Sequence, residues 1–192
     1  FLSRYETLHT ALLYLGSSLL GYTYMGVGRN MMYRKSLFLA KGGFGDQLTT
    51  AAGDDDLLIQ KLAHRGNVAI CTHQDAWMYT SPSETFHAYI SQKSRHVGVA
   101  HLYKPIFKYG LMLWALVQSL FYFTLLFGIL LSFNKIALIY SIFTLGMIWV
   151  LYPISKRWND HTLAFGFPVF DLVFTLLNPI FLIYGKFKKM SW

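Results

Sequence analysis

Charged side chains are scarce in this chain of 192 residues, at only 14% of the total. Soluble domains carry about 25% charged residues, so the composition argues against an ordinary soluble protein. Acidic residues are the scarcest, nine against 17 Lys and Arg, which leaves a net charge of +8. Because these basic residues flank apolar runs, we expect membrane lipids with anionic headgroups as their partner, and no nucleic acid.

Cysteine is nearly absent as well. The single Cys71 excludes an internal disulfide and fits a reducing compartment that faces the cytosol. The chain begins at Phe1 and has no basic segment followed by an apolar one, the pattern of a signal peptide. We therefore expect it to be the C-terminal portion of a longer protein.

Long uncharged runs are what the chain has in abundance. Residues 109–131 and 136–154 carry no formal charge, and each is long enough to cross about 30 Å of hydrocarbon as a helix. Basic residues flank the pair at Lys104, Lys108, Lys156 and Arg157. The positive-inside bias therefore predicts a transmembrane hairpin with both ends in the cytosol.

A third apolar run, residues 165–184, is less regular. It contains two prolines, an asparagine and Asp171, each of which is unfavourable in a helix that faces lipid. We expect a re-entrant or interfacial segment here. The membrane region would then cover residues 109–192.

Residues 1–108 combine helical and strand-like patterns. Leucines recur at spacings of four and three within residues 7–25, which predicts an amphipathic helix, although this uncharged run is also long enough for a span. The apolar run in residues 67–72 predicts a short buried strand. A capping box at Ser81-Pro82-Ser83-Glu84 predicts an interface helix over residues 82–100, with Phe86 and Ile90 packed inward.

Three adjacent aspartates, Asp54, Asp55 and Asp56, open a stretch that is typical of a helix running from Gly53 to a stop at Gly66. Acidic residues at a helix start can simply cap it and complement its dipole. Crowded like charges repel, however, and repulsion raises the pKa of a carboxyl towards that of a general base. Both interpretations stay open at this point.

Two other polar segments accompany the aspartates. Gly26–Lys35, GVGRNMMYRK, combines glycines that permit close backbone approach with several side-chain donors, although a plain turn also explains it. Gln92, Arg95 and His96 share one face of the predicted interface helix. Contact with anionic lipid is the alternative role for that face.

The order GVGRNMMYRK, GDDDLLIQKLAHRG, SQKSRH and paired apolar runs resembles the C-terminal half of a membrane-bound family 2 glycosyltransferase. The resemblance implies an α/β fold, with residues 1–108 as the C-terminal part of a cytosolic GT-A domain. It also implies inverting transfer of a sugar from a nucleotide-sugar donor to a hydroxyl of a lipid-linked or saccharide acceptor. The protein would be integral to a bacterial inner (plasma) membrane, with its catalytic part facing the cytoplasm.

Residue by residue, the resemblance implies a site made of Gly28, Asn30, Asp54, Asp55, Gln92, Arg95 and His96. Asp55 falls on the position of the catalytic base, with Asp54 before it. Gln92 and Arg95 match a Q-x-x-R motif near the acceptor and the departing diphosphate, where a guanidinium suits negative charge. His96 stands where the family has Trp, which weakens any assignment as a processive enzyme.

A divalent cation, Mg or Mn, is implied for the full-length enzyme, with ligands that this chain does not contain. The chain also lacks the nucleotide-binding half of the family, so we expect it to be inactive alone. The alternative is a non-enzymatic membrane protein, such as a transporter subunit or scaffold, with a small cytosolic cap. That alternative explains the apolar runs and the basic helix, but not the order of the three motifs.

Overall fold

The computed structural model describes residues 2–45 and 52–187, the last three of them by their backbone alone. In these ranges the chain forms α1 (Leu2–Leu19), α2 (Lys35–Ala40), α3 (Asp54–Leu62), α4 (Phe86–Gly98), α5 (Pro105–Leu131), α6 (Phe133–Arg157) and α7 (Thr162–Phe187). Short 3-10 segments lie at Gly28–Asn30, Gln74–Ala76 and Val99–Leu102.

The expected α/β GT-A fold is wrong for this chain, because the described ranges contain helices and no β-strand. Residues 67–72, predicted as a buried strand, form an irregular connection in which Cys71 is exposed. A strand is stable only when a neighbouring strand pairs with its backbone N–H and C=O groups. An apolar run of four residues does not specify that partner, and the described part of the chain supplies none.

The helices divide into two compact units. Among the described residues, the first unit comprises residues 2–8 and 110–180, and the second comprises residues 9–45, 52–109 and 181–187. Three helical stretches are long and apolar enough to cross a membrane, at Pro105–Leu131, Phe133–Arg157 and Thr162–Tyr184. Their mean hydropathy and length identify a membrane protein.

The predicted hairpin corresponds to α5 and α6, which are separated by Ser132 alone. Both helices begin earlier than the uncharged runs, because Pro105 suits the first turn of α5 and Lys135 is accommodated in the first turn of α6. Large apolar side chains such as Leu131 and Trp149 are exposed on these helices. Such surfaces suit contact with lipid rather than with water.

Helix α1 accounts for the leucine pattern, but it ends at Leu19 rather than near residue 25. Gly21 has a φ of 85°, and its N–H donates to the Ser18 carbonyl at 3.0 Å. The Tyr22 N–H donates to the Ser17 carbonyl at 2.8 Å. These two bonds form a Schellman motif, so Gly21 is the stop signal that the leucine spacing alone did not show.

Helix α7 is continuous through both prolines and through Asp171, where the sequence predicts a re-entrant or interfacial segment. Asp171 is buried in the first unit and accepts hydrogen bonds from the Tyr5 hydroxyl at 2.8 Å, the Gln118 amide at 3.0 Å and the Tyr122 hydroxyl at 2.6 Å. A carboxylate is tolerated in an apolar helix when such donors replace water. Whether α7 crosses the bilayer stays a prediction.

Replacing Asp171 with alanine should destabilise the first unit, because it leaves the buried Tyr5 hydroxyl and the half-buried donors of Gln118 and Tyr122 without this acceptor. Each unsatisfied donor costs about 1–3 kcal/mol, so we expect the free energy of unfolding to fall by about 3 kcal/mol or more. Thermal unfolding in detergent, followed by circular dichroism, measures the loss. Asp171→Asn keeps an acceptor oxygen and serves as the control, with a clearly smaller loss. Equal losses in the two variants would contradict the hydrogen-bonding role.

Candidate functional site

The three aspartates occupy three different environments at the start of α3. Asp54 is exposed, Asp55 is half-buried, and Asp56 is only 4% exposed. Successive residues of an α-helix are rotated by about 100°, so adjacent side chains necessarily face different surroundings. Leu58 and Leu62, which follow Asp54 by one and two helical turns, are buried within the second unit. Ile59 is half-buried.

Asp55 is held by two backbone N–H groups. The Gly28 N–H donates to Asp55 Oδ2 at 2.9 Å, and the Asp56 N–H donates to Asp55 Oδ1 at 3.0 Å. A Cβ atom at Gly28 would lie 3.2 Å from Asp55 Oδ2, so the glycine permits this close approach. The structure therefore brings together two residues of the predicted site, while each carboxylate oxygen retains a lone pair for another donor.

Asp56 points into the protein rather than into solvent. It accepts a hydrogen bond from the Tyr103 hydroxyl and another from the Gly26 N–H at 3.3 Å. Burial raises the pKa of Asp56 to about 7, and the neighbouring Asp55 and Asp54 act in the same direction. The two hydrogen bonds oppose that rise. Asp56 is thus a carboxyl group that ionises close to neutral pH.

Asn30 is oriented by the backbone of a different loop. Its side-chain amide donates to the Ala76 carbonyl at 3.0 Å. This bond ties the segment Gly28–Asn30 to the short helix Gln74–Ala76. In the described structure Asn30 therefore fixes the loop that carries Gly28.

Helix α4 begins at Phe86, four residues after the start at Pro82 that the capping box predicts. Thr85 is the N-cap, and its side-chain oxygen accepts a hydrogen bond from the Ala88 N–H at 3.1 Å. The Ser83 hydroxyl instead donates to Gln92 Oε1 at 2.8 Å, so the preceding segment folds back along the helix. The prediction that Phe86 packs inward is also wrong, since 59% of this residue is exposed.

Gln92, Arg95 and His96 all lie on the exposed side of α4. The end of this helix is fixed by Val99, whose Cγ1 would lie 2.3 Å from a Cβ atom built on Gly53. Arg95 precedes Val99 by four residues, which is about one helical turn. Arg95 therefore lies about one helical turn before the residue that contacts Gly53, the N-cap of α3.

Sequence reasoning missed the polar side chains that join α3 to the start of α5. The Gln60 side-chain amide donates to the Tyr24 carbonyl at 2.8 Å, and its oxygen accepts from the Lys104 N–H at 3.0 Å. Lys104 Nζ also donates to the Gln60 carbonyl. Asp56 and Gln60 are four residues apart, and this spacing of two polar residues beside the buried leucines was the available signal.

No group of three or more His, Cys, Asp or Glu side chains suited to a metal ion occurs among residues 2–45 and 52–187. The aspartate run does not form one, because Asp55 and Asp56 are directed to separate partners and Asp54 faces solvent. These residues do not fit the divalent cation that the resemblance implies.

Comparison with known proteins gives one match. The family model described as Glycosyl transferase family group 2 matches residues 1–169. No curated protein and no solved structure matches the chain. The matched range contains the three adjacent aspartates Asp54, Asp55 and Asp56, together with α4 and the hairpin of α5 and α6.

Proposed function

The chain belongs to glycosyl transferase family group 2, and on that basis we propose that it takes part in inverting transfer of a sugar from a nucleotide-sugar donor to an acceptor hydroxyl at the membrane. Membership implies a sugar donor and an acceptor as substrates, and the apolar helices imply contact with lipid. The observation that carries the proposal is the Asp55 carboxylate, which two backbone N–H groups hold at the start of α3.

Asp55 would act as the general base. As the acceptor oxygen attacks the anomeric carbon, its proton passes to the Asp55 carboxylate. The bond from the anomeric carbon to the diphosphate breaks, and the electron pair leaves with the diphosphate. The bonds from Gly28 and Asp56 orient the carboxylate before the acceptor arrives, which reduces the entropic cost of reaching the reactive geometry.

Gln92 and Arg95 would contact the acceptor end and the departing diphosphate. Arg95 is exposed in the last turns of α4, and Val99 fixes that end of the helix beside Gly53. A planar guanidinium can bind two phosphate oxygens at once, which suits a leaving group that gains negative charge. We propose that His96 borders the acceptor without the broad stacking surface of a tryptophan.

The orientation proposal rests on the ends of the membrane helices. Phe181 lies against Tyr89 with ring centroids 5.9 Å apart, so the end of α7 belongs to the same unit as α4 and the start of α5. Three complete crossings after Lys104 would place these two ends on opposite sides of the bilayer. We therefore propose an even number of crossings, with α7 as a continuous helix at the membrane interface and the acidic stretch facing the cytoplasm of a bacterial inner membrane.

The test is sugar transfer by the full-length protein in its native membrane, supplied with a divalent cation and a panel of labelled nucleotide sugars. We expect labelled product whose anomeric configuration is inverted relative to the donor. A retained configuration would overturn the assignment of Asp55 as a base that activates the acceptor. A full-length protein that transfers no sugar from any donor would favour the non-enzymatic alternative, a transporter subunit or scaffold.

A more local test is Arg95→Lys, which keeps the charge and loses the planar fork. If Arg95 binds the diphosphate, we expect transfer to fall by about tenfold, because one charge-assisted hydrogen bond is lost. Initial rates at saturating donor measure this effect. Lys93→Arg on the same helix is the control, with an unchanged rate. Full activity in Arg95→Lys would instead favour simple contact with anionic lipid.

A further inference from the structure

Asp56 is a buried carboxyl group that the proposed chemistry does not use. Removing a carboxylate from water is unfavourable, so its position needs specific donors. The donors here are the Tyr103 hydroxyl and the Gly26 N–H. Both come from outside α3, and Tyr103 lies two residues before Pro105, where α5 begins.

The segment from Val99 to Lys104 runs alongside α3 through three successive contacts. Val99 lies against Gly53, Tyr103 bonds to Asp56, and Lys104 bonds to Gln60. Residue numbers increase in the same direction in both segments, so the two segments run parallel. Asp56 supplies the side-chain acceptor in the middle of the series, and its own N–H holds Asp55 Oδ1.

We propose that Asp56 is a positioning residue for sugar transfer, which through Tyr103 fixes the start of α3, and with it Asp55, to the segment that leads into α5. This inference rests on the proposed function and deepens it. The base would then be held relative to the polypeptide that enters the membrane, which is where a lipid-linked or membrane-emerging acceptor arrives. Asp56 itself touches neither substrate nor the reacting atoms.

The hydrogen bond between the Tyr103 hydroxyl and the Asp56 carboxylate should depend on pH, because Asp56 is titratable. The titratable groups that face Asp56 are Asp54 and Asp55 on its own helix, and Tyr24 and Tyr103 from the elements packed against it. Burial, followed by the Asp56 charge, raises the pKa of Tyr103, so this hydroxyl remains a neutral donor. The bond is strongest when Asp56 is ionised, and Asp56 ionises near pH 7.

The decisive variant is Tyr103→Phe, which removes the hydroxyl and keeps the ring. Because the Tyr103 hydrogen bond lowers the pKa of Asp56, its loss should move the acidic limb of the pH–rate profile upward by about one unit. We also expect kcat to fall about tenfold, with KM for the donor unchanged. Tyr24→Phe is the matched control, because the centroids of the Tyr24 and Tyr103 rings are 6.4 Å apart. This variant should leave the acidic limb of the pH–rate profile unchanged.

A second measurement does not depend on activity. The pKa of Asp56 is raised in the folded state, so its contribution to stability is complete below about pH 4 and is lost as the pH rises through about 7. The melting temperature of the parent protein in detergent should therefore fall over this range more than that of Asp56→Asn. The variant should be the more stable protein at pH 8 and also the slower enzyme.

The outcomes separate the two proposals. A full-length parent protein that transfers no sugar overturns the proposed function. If the parent protein is active, two results together overturn the Asp56 inference alone. These results are that Tyr103→Phe keeps the parental acidic limb of the pH–rate profile, and that Asp56→Asn keeps the parental dependence of the melting temperature on pH. A shifted limb in Tyr103→Phe, with Tyr24→Phe unchanged, supports the positioning role, because a purely structural lesion lowers the active fraction without moving the limb.

Discussion

Asp55→Asn should lower the rate of sugar transfer by about 10²–10⁴-fold, the usual loss when a general base is removed. The amide keeps the shape of the carboxylate and can still accept the hydrogen bond from the Gly28 N–H. It is too weak a base to take a proton from the acceptor hydroxyl. Donor binding should therefore change little, and the loss should appear in kcat. Steady-state rates together with a donor-binding titration measure the two effects separately.

Asp54→Asn is the matched control for this prediction. Asp54 carries the same charge one residue earlier, but its side chain is exposed at the start of α3. We expect its loss to change the rate by less than tenfold, through helix capping and the local field. The reverse result, an active Asp55→Asn and an inactive Asp54→Asn, would assign the base to Asp54.

Gly53→Ala should strongly destabilise the second unit, although it adds only one methyl group. Gly53 is the N-cap of α3 and has a φ of 77°, a conformation that alanine adopts only under strain. The added Cβ would also lie 2.3 Å from Val99 Cγ1, and Val99 is completely buried. Strain and overpacking together should lower the free energy of unfolding by about 2–4 kcal/mol.

Gly66→Ala separates the two causes. Gly66 has a φ of 95°, but no atom lies within 4 Å of a Cβ built there. Gly66→Ala should therefore lower the free energy of unfolding by about 1 kcal/mol, from backbone strain alone. Adding Val99→Ala to Gly53→Ala should relieve part of the larger loss, by removing the clash. Chemical denaturation in detergent measures all of these variants, and equal losses at the two glycines would show that the contact with Val99 is unimportant.

Sequence reasoning recovered part of the candidate site. It grouped Gly28 with Asp55, and the structure joins them through a hydrogen bond. Asn30 was grouped with them as well, but its amide donates to the Ala76 carbonyl. The roles of Gln92, Arg95 and His96 on α4 stay predictions. Tyr103 was missed because its partner, Asp56, lies 47 positions earlier in the chain, and the spacing of a motif does not encode such a contact.

The sequence by itself determined the features that depend on local composition. Runs of apolar residues long enough to cross a bilayer form helices because hydrocarbon requires every backbone hydrogen bond to be made within the segment. The acidic start of α3 follows equally from the favourable interaction of carboxylates in the first turn with the helix dipole. The α/β expectation failed because strands depend on partners that a short apolar run does not specify.

Only the tertiary structure decided which aspartate is buried. Asp54, Asp55 and Asp56 are chemically identical and adjacent, so their different environments arise from what packs around α3. Tyr103 and the Gly26 N–H bind Asp56, while the Gly28 N–H binds Asp55. Burial then raises the pKa of one of three identical carboxyl groups to about 7. The physical reason is that desolvation and hydrogen bonding depend on residues brought together from distant parts of the chain.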